Sequence, residues 1–136
     1  MKAKELITPK SKITYLYADM TVEDAISRFA KSSFSMIPVL ERESGRYLYS
    51  VTANDVLNFI TSDKAGDFHC APLSSLSLTR MIAPCLESVE IKAISDLIAN
   101  QNYVPLVDAS GVFKGLVTRR VLIFHLLGEM ERKEGR

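Results

Sequence analysis

The residues best placed to do chemistry are Thr118-Arg119-Arg120. They follow an apolar run, Phe113 to Val117, and lead into a second one, so they stand where a strand passes into a helix. Unpaired N–H groups and the positive end of the helix dipole favour an anion at such a place. Guanidinium groups grip a phosphate bidentately, which lysine cannot do. Two adjacent arginines oppose the dipole, so a bound anion would relieve an unfavourable arrangement; the plainer alternative is a pair of solvated surface arginines. An earlier segment, Thr52-Ala53-Asn54-Asp55, offers a hydroxyl and a carboxylate that could accept hydrogens from vicinal hydroxyls. Asp55 could equally be a helix-start residue that favours the dipole. Ser35 and Asn102 each stand three residues before a proline, where each could bind a ligand edge or merely cap its strand. Lys12 and Thr14 alternate, which on a strand turns both to one side.

Two further groups invite a metal or nucleophile reading. His69-Cys70 is a single neighbour pair with no second Cys or His at ligand spacing, far short of a zinc set. Nothing supplies an orienting third group or an oxyanion device, so no catalytic residue is assigned. His125 falls on the apolar face of the last helix and is expected to be packed.

These residues sit in a repeat. Ser35-Met36-Ile37-Pro38-Val39-Leu40 is echoed by Asn102-Tyr103-Val104-Pro105-Leu106-Val107 at an offset of 67 residues. Ser50-Val51-Thr52-Ala53-Asn54 matches Leu116-Val117-Thr118-Arg119-Arg120 at 66, and Ala25-Ile26-Ser27 matches Ala93-Ile94-Ser95 at 68. Each half predicts a helix (Ala25, Ile26, Phe29 and Ala30 in one; Ile94, Leu97 and Ile98 from a Ser88 start in the other). A strand follows, Met36 to Leu40 or Tyr103 to Val107, with an internal proline that argues for an edge position. A glycine turn, at Gly45 or Gly111, leads back into Tyr47 to Val51 or Phe113 to Val117. Helices over Asn54–Thr61 and Arg119–Met130 close the halves. Between them, polar residues 62–67 precede Leu73, Leu76, Leu78, Met81 and Ile82, whose spacing suggests a short amphipathic helix. The ends, 1–10 and 131–136, are charged and expected to fray.

Composition fits this picture. The 136 residues are 47% hydrophobic and 24% charged, average for a globular domain and enough for one core. A formal charge of +1 argues against coating nucleic acid or an anionic membrane. No apolar run reaches the roughly 18 residues of a membrane span, and the N-terminus has no apolar signal core. Cys70 and Cys85 without such a signal read as reduced thiols, so the chain is expected in the cytoplasm.

The order of helix, apolar-Pro-Val strand, Gly turn, strand and Val51-Thr52-Ala53-Asn54-Asp55, repeated as Gly115-Leu116-Val117-Thr118-Arg119-Arg120, resembles the cystathionine-β-synthase (CBS) domain. Two in tandem resemble a CBS pair, or Bateman module. Lys12-Ile13-Thr14, Thr118-Arg119-Arg120-Val121 and the short length are similar to small stand-alone CBS proteins of Gram-positive bacteria that bind cyclic di-AMP or AMP. The resemblance implies an α/β (α+β) fold of two pseudo-symmetric repeats, each a small three-stranded sheet with two helices. It implies one module over 1–136, with motifs at 12–62 and 84–130 joined by a linker at 63–83. It implies a regulatory module that binds cyclic di-AMP, AMP or ADP and controls a protein partner, with no other cofactor or metal, rather than an enzyme. A ligand-free dimerisation module is the alternative. The implied ligand contacts are Lys12, Ile13, Thr14, Ser35, Met36, Tyr103, Thr118, Arg119 and Arg120, with Thr52, Asn54, Asp55 and Asn102 in a second cleft. Tyr49 replaces a glycine usual before Val-Thr, and Val121 replaces the acid that usually holds ribose, so the two clefts are not equivalent. Leu57, Phe59 and Ile60 on one helix, with Val121, Leu122, Phe124 and Leu127 on the other, are too apolar for one small module to cover, which predicts a homodimer.

Overall fold

The protein is described by a computed structural model over residues 1–62, 66 and 68–134. Asp63, Lys64, Ala65 and Asp67 of the polar linker, with Gly135 and Arg136, lie outside the described residues.

Two small sheets each carry a pair of helices. The first sheet holds β2 (Leu16–Tyr17), β3 (Met36–Leu40) and β4 (Tyr47–Thr52), with β3 in the middle. The second holds β5 (Cys85–Leu86), β6 (Tyr103–Val107) and β7 (Phe113–Thr118), and β1 (Thr8–Pro9) adds a fourth strand beside β7. Helices α1 (Val22–Lys31) and α2 (Ala53–Ile60) flank the first sheet. Helices α3 (Ile91–Ile98) and α4 (Arg119–Glu134) flank the second. Among the described residues, no helix is long and apolar enough to cross a membrane.

The local reasons are those of the sequence. Thr21 caps α1 by accepting from the Asp24 N–H at 3.2 Å, and the Asp24 carboxylate returns the bond to the Thr21 N–H at 3.0 Å. Strands β3 and β6 are buried along their whole length, as expected of apolar runs with a helix layer on one side. Their prolines do not put them at an edge. The parallel neighbour reaches only Val39 and Leu40 in one half, and Leu106 and Val107 in the other, so Pro38 and Pro105 have an unpaired side within a central strand.

Several expected details differ. No α-helix forms at Leu73–Ile82: two short 3-10 turns, Phe68–Cys70 and Leu73–Ser75, give way to irregular chain. Leu73, Leu76 and Ile82 are buried, but Met81 is 85% exposed, a pattern that irregular chain satisfies as well as a helix. Lys12, Ile13 and Thr14 are not on a strand; a 3-10 turn ends at Lys12, and the strand starts only at Leu16. Helix α3 starts after Glu90 rather than at Ser88. The second sheet has four strands rather than three, and α4 continues to Glu134 where fraying was expected.

The N-terminal segment explains the fourth strand. Residues 1–9 pack on the second half: Ala3 is fully buried among Ile91, Ile94 and Val117, and the Lys2 ammonium meets Glu90 at 2.8 Å. Residues 68–76 do the same for the first half, with Leu73 and Leu76 in the core beside Val22, Ile37 and Val51. The backbone contacts correspond: Ile91 donates to the Met1 carbonyl at 3.1 Å, and Val22 to the Ala71 carbonyl at 2.8 Å. Each half is thus completed by a segment that precedes the other.

The halves also meet directly. The Tyr47 N–H donates to the Gly111 carbonyl at 3.1 Å, and the Phe113 N–H to the Gly45 carbonyl at 3.0 Å, so the two hairpin turns are stitched together. Both glycines have positive φ, 75° and 86°, which the turns require. Between the sheets lies a shared apolar core of Ile13, Met36, Leu40, Ile82, Tyr103, Phe113 and Leu116.

Candidate functional site

The amino-terminal ends of α2 and α4 open into two clefts at the junction of the halves. The first cleft, about 200 Å³, is lined by Phe34, Ser35, Met36, Asn102, Tyr103, Thr118, Arg119 and Arg120. The second, also about 200 Å³, is lined by Ser35, Thr52, Ala53, Asn54, Thr79, Arg80 and Asn102. Ser35 and Asn102 belong to both, because the equivalent strands β3 and β6 begin side by side there. Among the described residues, no acidic residue lines either cleft.

In the first cleft, Thr118 caps α4 by accepting from the Val121 N–H at 3.3 Å, which leaves the N–H groups of Arg119 and Arg120 at the helix start. The Arg119 Nε donates to the Ile98 carbonyl at 3.1 Å, closing the carboxyl end of α3. One donor of its five is thereby used, and the rest of the fork stays available. The Arg120 guanidinium lies 5.6 Å from the Phe124 ring centroid, one helical turn on. Both arginines are exposed, and neither has a carboxylate partner among the described residues. Met36 and Tyr103 form the apolar wall, although Tyr103 is only 3% exposed. Its hydroxyl points inward, 2.7 Å from the Ser50 Oγ, and burial drives its pKa far up.

In the second cleft the same helix start is polar but uncharged, with Thr52 and Asn54 at the mouth. Asp55 does not line it. Its side chain is 2% exposed, and the carboxylate accepts from the Thr52 N–H at 2.9 Å, the Thr79 N–H at 3.1 Å and the Thr79 hydroxyl at 2.8 Å. These bonds close α2 and pin the irregular chain before β5, so the acid serves structure through both oxygens. Thr79 and Arg80, absent from the expected set, stand in the cleft instead. The Arg80 Nη2 donates to the Asn100 carbonyl at 3.1 Å.

Lys12, Ile13 and Thr14 line neither cleft. Ile13 is buried in the core between the sheets, and Lys12 is exposed at the end of a turn packed on β7. Phe34, Thr79 and Arg80 were not singled out by sequence. Phe34 immediately precedes Ser35-Met36 and could have been found from that register; Thr79 and Arg80 were hidden by the helical reading of their segment. Tyr49 lines neither cleft. It packs beside the first core on β4, an edge strand, whereas its counterpart Gly115 lies under β1.

Among the described residues no cluster of His, Cys, Asp and Glu could hold a metal. His69 contacts Glu23 at 3.2 Å and stacks on Phe68, and Cys70 and Cys85 are free thiols. His125, with a 15% exposed side chain, lies 4.0 Å from Glu129.

Residues 3–62 match the CBS domain family model. Over 132 residues the chain is 24% identical to the magnesium and cobalt efflux protein CorC of Pasteurella multocida, covering 96% of this chain and 42% of that protein. The chain therefore spans less than half the length of that relative. The fold is similar to that of CbpB from Listeria monocytogenes in complex with c-di-AMP, with a TM-score of 0.79, 19% identity, and 95% and 97% of the two chains covered. It is also similar to that of CBSX2 in complex with AMP, with a TM-score of 0.75, 16% identity, and 95% and 98% covered.

Proposed function

We propose that this chain, which has the tandem CBS-pair fold, is a regulatory module that binds an adenine nucleotide and controls a protein partner according to occupancy. The observation that carries the reading is the cleft at Thr118-Arg119-Arg120: a helix start, two arginines without acidic partners among the described residues, and an apolar wall of Met36 and Tyr103. The charges suit a phosphate, the apolar wall suits a base, and the Ser35 and Asn102 side chains suit its polar edge. Cyclic di-AMP is the first candidate, since CbpB binds it within the same fold, and AMP or ADP are competitors. The chemistry is recognition rather than turnover, in a cytoplasmic setting. Occupancy controls a partner only if the partner distinguishes the two states, so ligand and partner must change each other's affinity.

Thermal denaturation with cyclic di-AMP, AMP and ADP tests this. A ligand at 100 times its dissociation constant stabilises by about 2.7 kcal/mol. No shift with any of the three at millimolar concentration removes the reading.

The second reading, a dimerisation module without a ligand, draws on the helices. Leu57 on α2, with Ile123, Phe124, Leu127 and Met130 on α4, is exposed, Phe124 by 61%. Of the other residues expected there, Leu122 is buried in the second core, Phe59 and Ile60 pack on the first, and Val121 is half-buried. The exposed set suits a symmetric homodimer, which is compatible with ligand binding.

A further inference from the structure

We infer that residues 79–83, in the irregular chain before β5, form a strap that opens as a unit, and that a nucleotide in either cleft holds it shut. The inference rests on the nucleotide-binding reading and adds a regulatory element to it. Among the described residues, none of the five belongs to a helix or strand or makes a backbone-to-backbone hydrogen bond. Side chains hold them instead, from both halves. The Asp55 carboxylate accepts from the Thr79 N–H at 3.1 Å and from the Thr79 hydroxyl at 2.8 Å. Arg80 donates to the Asn100 carbonyl at 3.1 Å, and the Tyr47 hydroxyl donates to the Ile82 carbonyl at 3.1 Å. The Gln101 amide clasps Ala83, accepting from its N–H at 2.9 Å and donating to its carbonyl at 3.2 Å.

Opening this segment disturbs little else. Of its five side chains only Ile82 is buried, and Met81 is 85% exposed. The strap can lift without breaking a sheet or a helix, which puts its opening at the low end of the range of local stabilities. Both clefts register the change. Thr79 and Arg80 line the second cleft, so opening removes part of its wall. Tyr103, in the wall of the first, is tied to the strap twice. The Gln101 Nε2 that holds Ala83 also donates to the Tyr103 carbonyl at 3.2 Å. The Tyr103 hydroxyl is linked through Ser50 and Tyr47 to the Ile82 carbonyl. A nucleotide against either wall therefore binds the closed strap better than the open one and shifts the population toward it.

The Thr79 and Ala83 amides, one at each end, report on the strap because each is bonded to a side chain of the body. The test is hydrogen exchange followed by NMR on the full chain, with cyclic di-AMP and AMP as probes and calorimetry to measure their binding. In the free chain both amides should exchange faster than those of β6. A nucleotide at 100 times its dissociation constant should slow them about 100-fold. Tyr47→Phe, at a residue that lines neither cleft, should speed both amides together about fivefold, equivalent to about 1 kcal/mol. Its melting temperature shows that it is folded. Equal rates for the strap and β6 in the free chain overturn the inference, and so does acceleration of Ala83 alone. A nucleotide that binds by calorimetry without slowing the strap also overturns it, and leaves the nucleotide reading intact. Failure of both probes to bind the wild-type chain removes both.

Discussion

The Tyr103 hydroxyl lies 2.7 Å from the Ser50 Oγ, joining β6 of one half to β4 of the other. Ser50 is also 2.8 Å from the Tyr47 hydroxyl, which donates to the Ile82 carbonyl at 3.1 Å. A carbonyl only accepts, so the direction of the chain is fixed: Tyr103 donates to Ser50, Ser50 to Tyr47, and Tyr47 to Ile82. Removing the Tyr103 hydroxyl leaves the other links intact, and Tyr103→Phe should cost about 1 kcal/mol, or roughly 3–5 °C in melting temperature. Ser50→Ala interrupts the chain in the middle, strands two buried hydroxyls and should cost more, about 1–3 kcal/mol. Thermal denaturation of the two variants checks the order.

The same chain sets an alkaline limit. Burial raises the pKa of both tyrosines, that of Tyr47 to about 12. The unfolded chain loses these protons near pH 10, while the folded state keeps them. Stability should therefore be full below about pH 10 and fall as pH rises through about 12. Urea midpoints between pH 8 and 11.5 should show the decline, and Tyr47→Phe should lessen it.

Arg119 and Arg120 should separate in their effects on folding. Arg119→Ala loses the bond to the Ile98 carbonyl, worth about 1 kcal/mol, as well as ligand affinity. Arg120→Ala gives up an exposed cation–π contact of about 0.5 kcal/mol and should lower ligand affinity with little change in melting temperature. Equal melting temperatures for the two variants would contradict this.

Asp55→Ala should act on stability first. It removes the return bond of the α2 capping box and both bonds to Thr79, a loss of about 2–3 kcal/mol. A melting temperature within 2 °C of wild type (well under the roughly 3–5 °C expected per kcal/mol) would show that these bonds are replaced by water.

The exposed apolar side chains of α2 and α4 should hold two chains together. Light scattering is expected to give twice the 15.2 kDa of one chain, and Phe124→Asp should return it to a single chain while ligand binding persists. A wild-type mass of one chain at micromolar concentration counts against the dimer.

The repeat was legible because it is written in apolar blocks, and those blocks fixed the strands, helices and the pairing of the halves. The Thr118-Arg119-Arg120 site was legible for the same reason, since a strand-to-helix junction is a local pattern. What periodicity could not convey is exchange between the halves. Leu73, Leu76 and Ile82 are apolar because they fill two different cores, yet their spacing imitates one helical face. Thr79 and Arg80 were lost inside that false helix. Tyr49 and Gly115 differ for an equally non-local reason: a Cβ at Gly115 would collide with the Thr8 carbonyl of the crossing β1, and β4 carries no such neighbour.

That crossing decides what a fragment of this molecule can be. Cut between residues 62 and 68, the chain yields an amino-terminal piece without Leu73 and Leu76, and a carboxyl-terminal piece without Ala3 and the β1 strand. Neither piece owns a complete interior, so each alone should be a poor folder, whereas the two mixed should find each other and reassemble, every piece lending the other its missing wedge. The sequence repeats by halves, but the unit of folding is the pair.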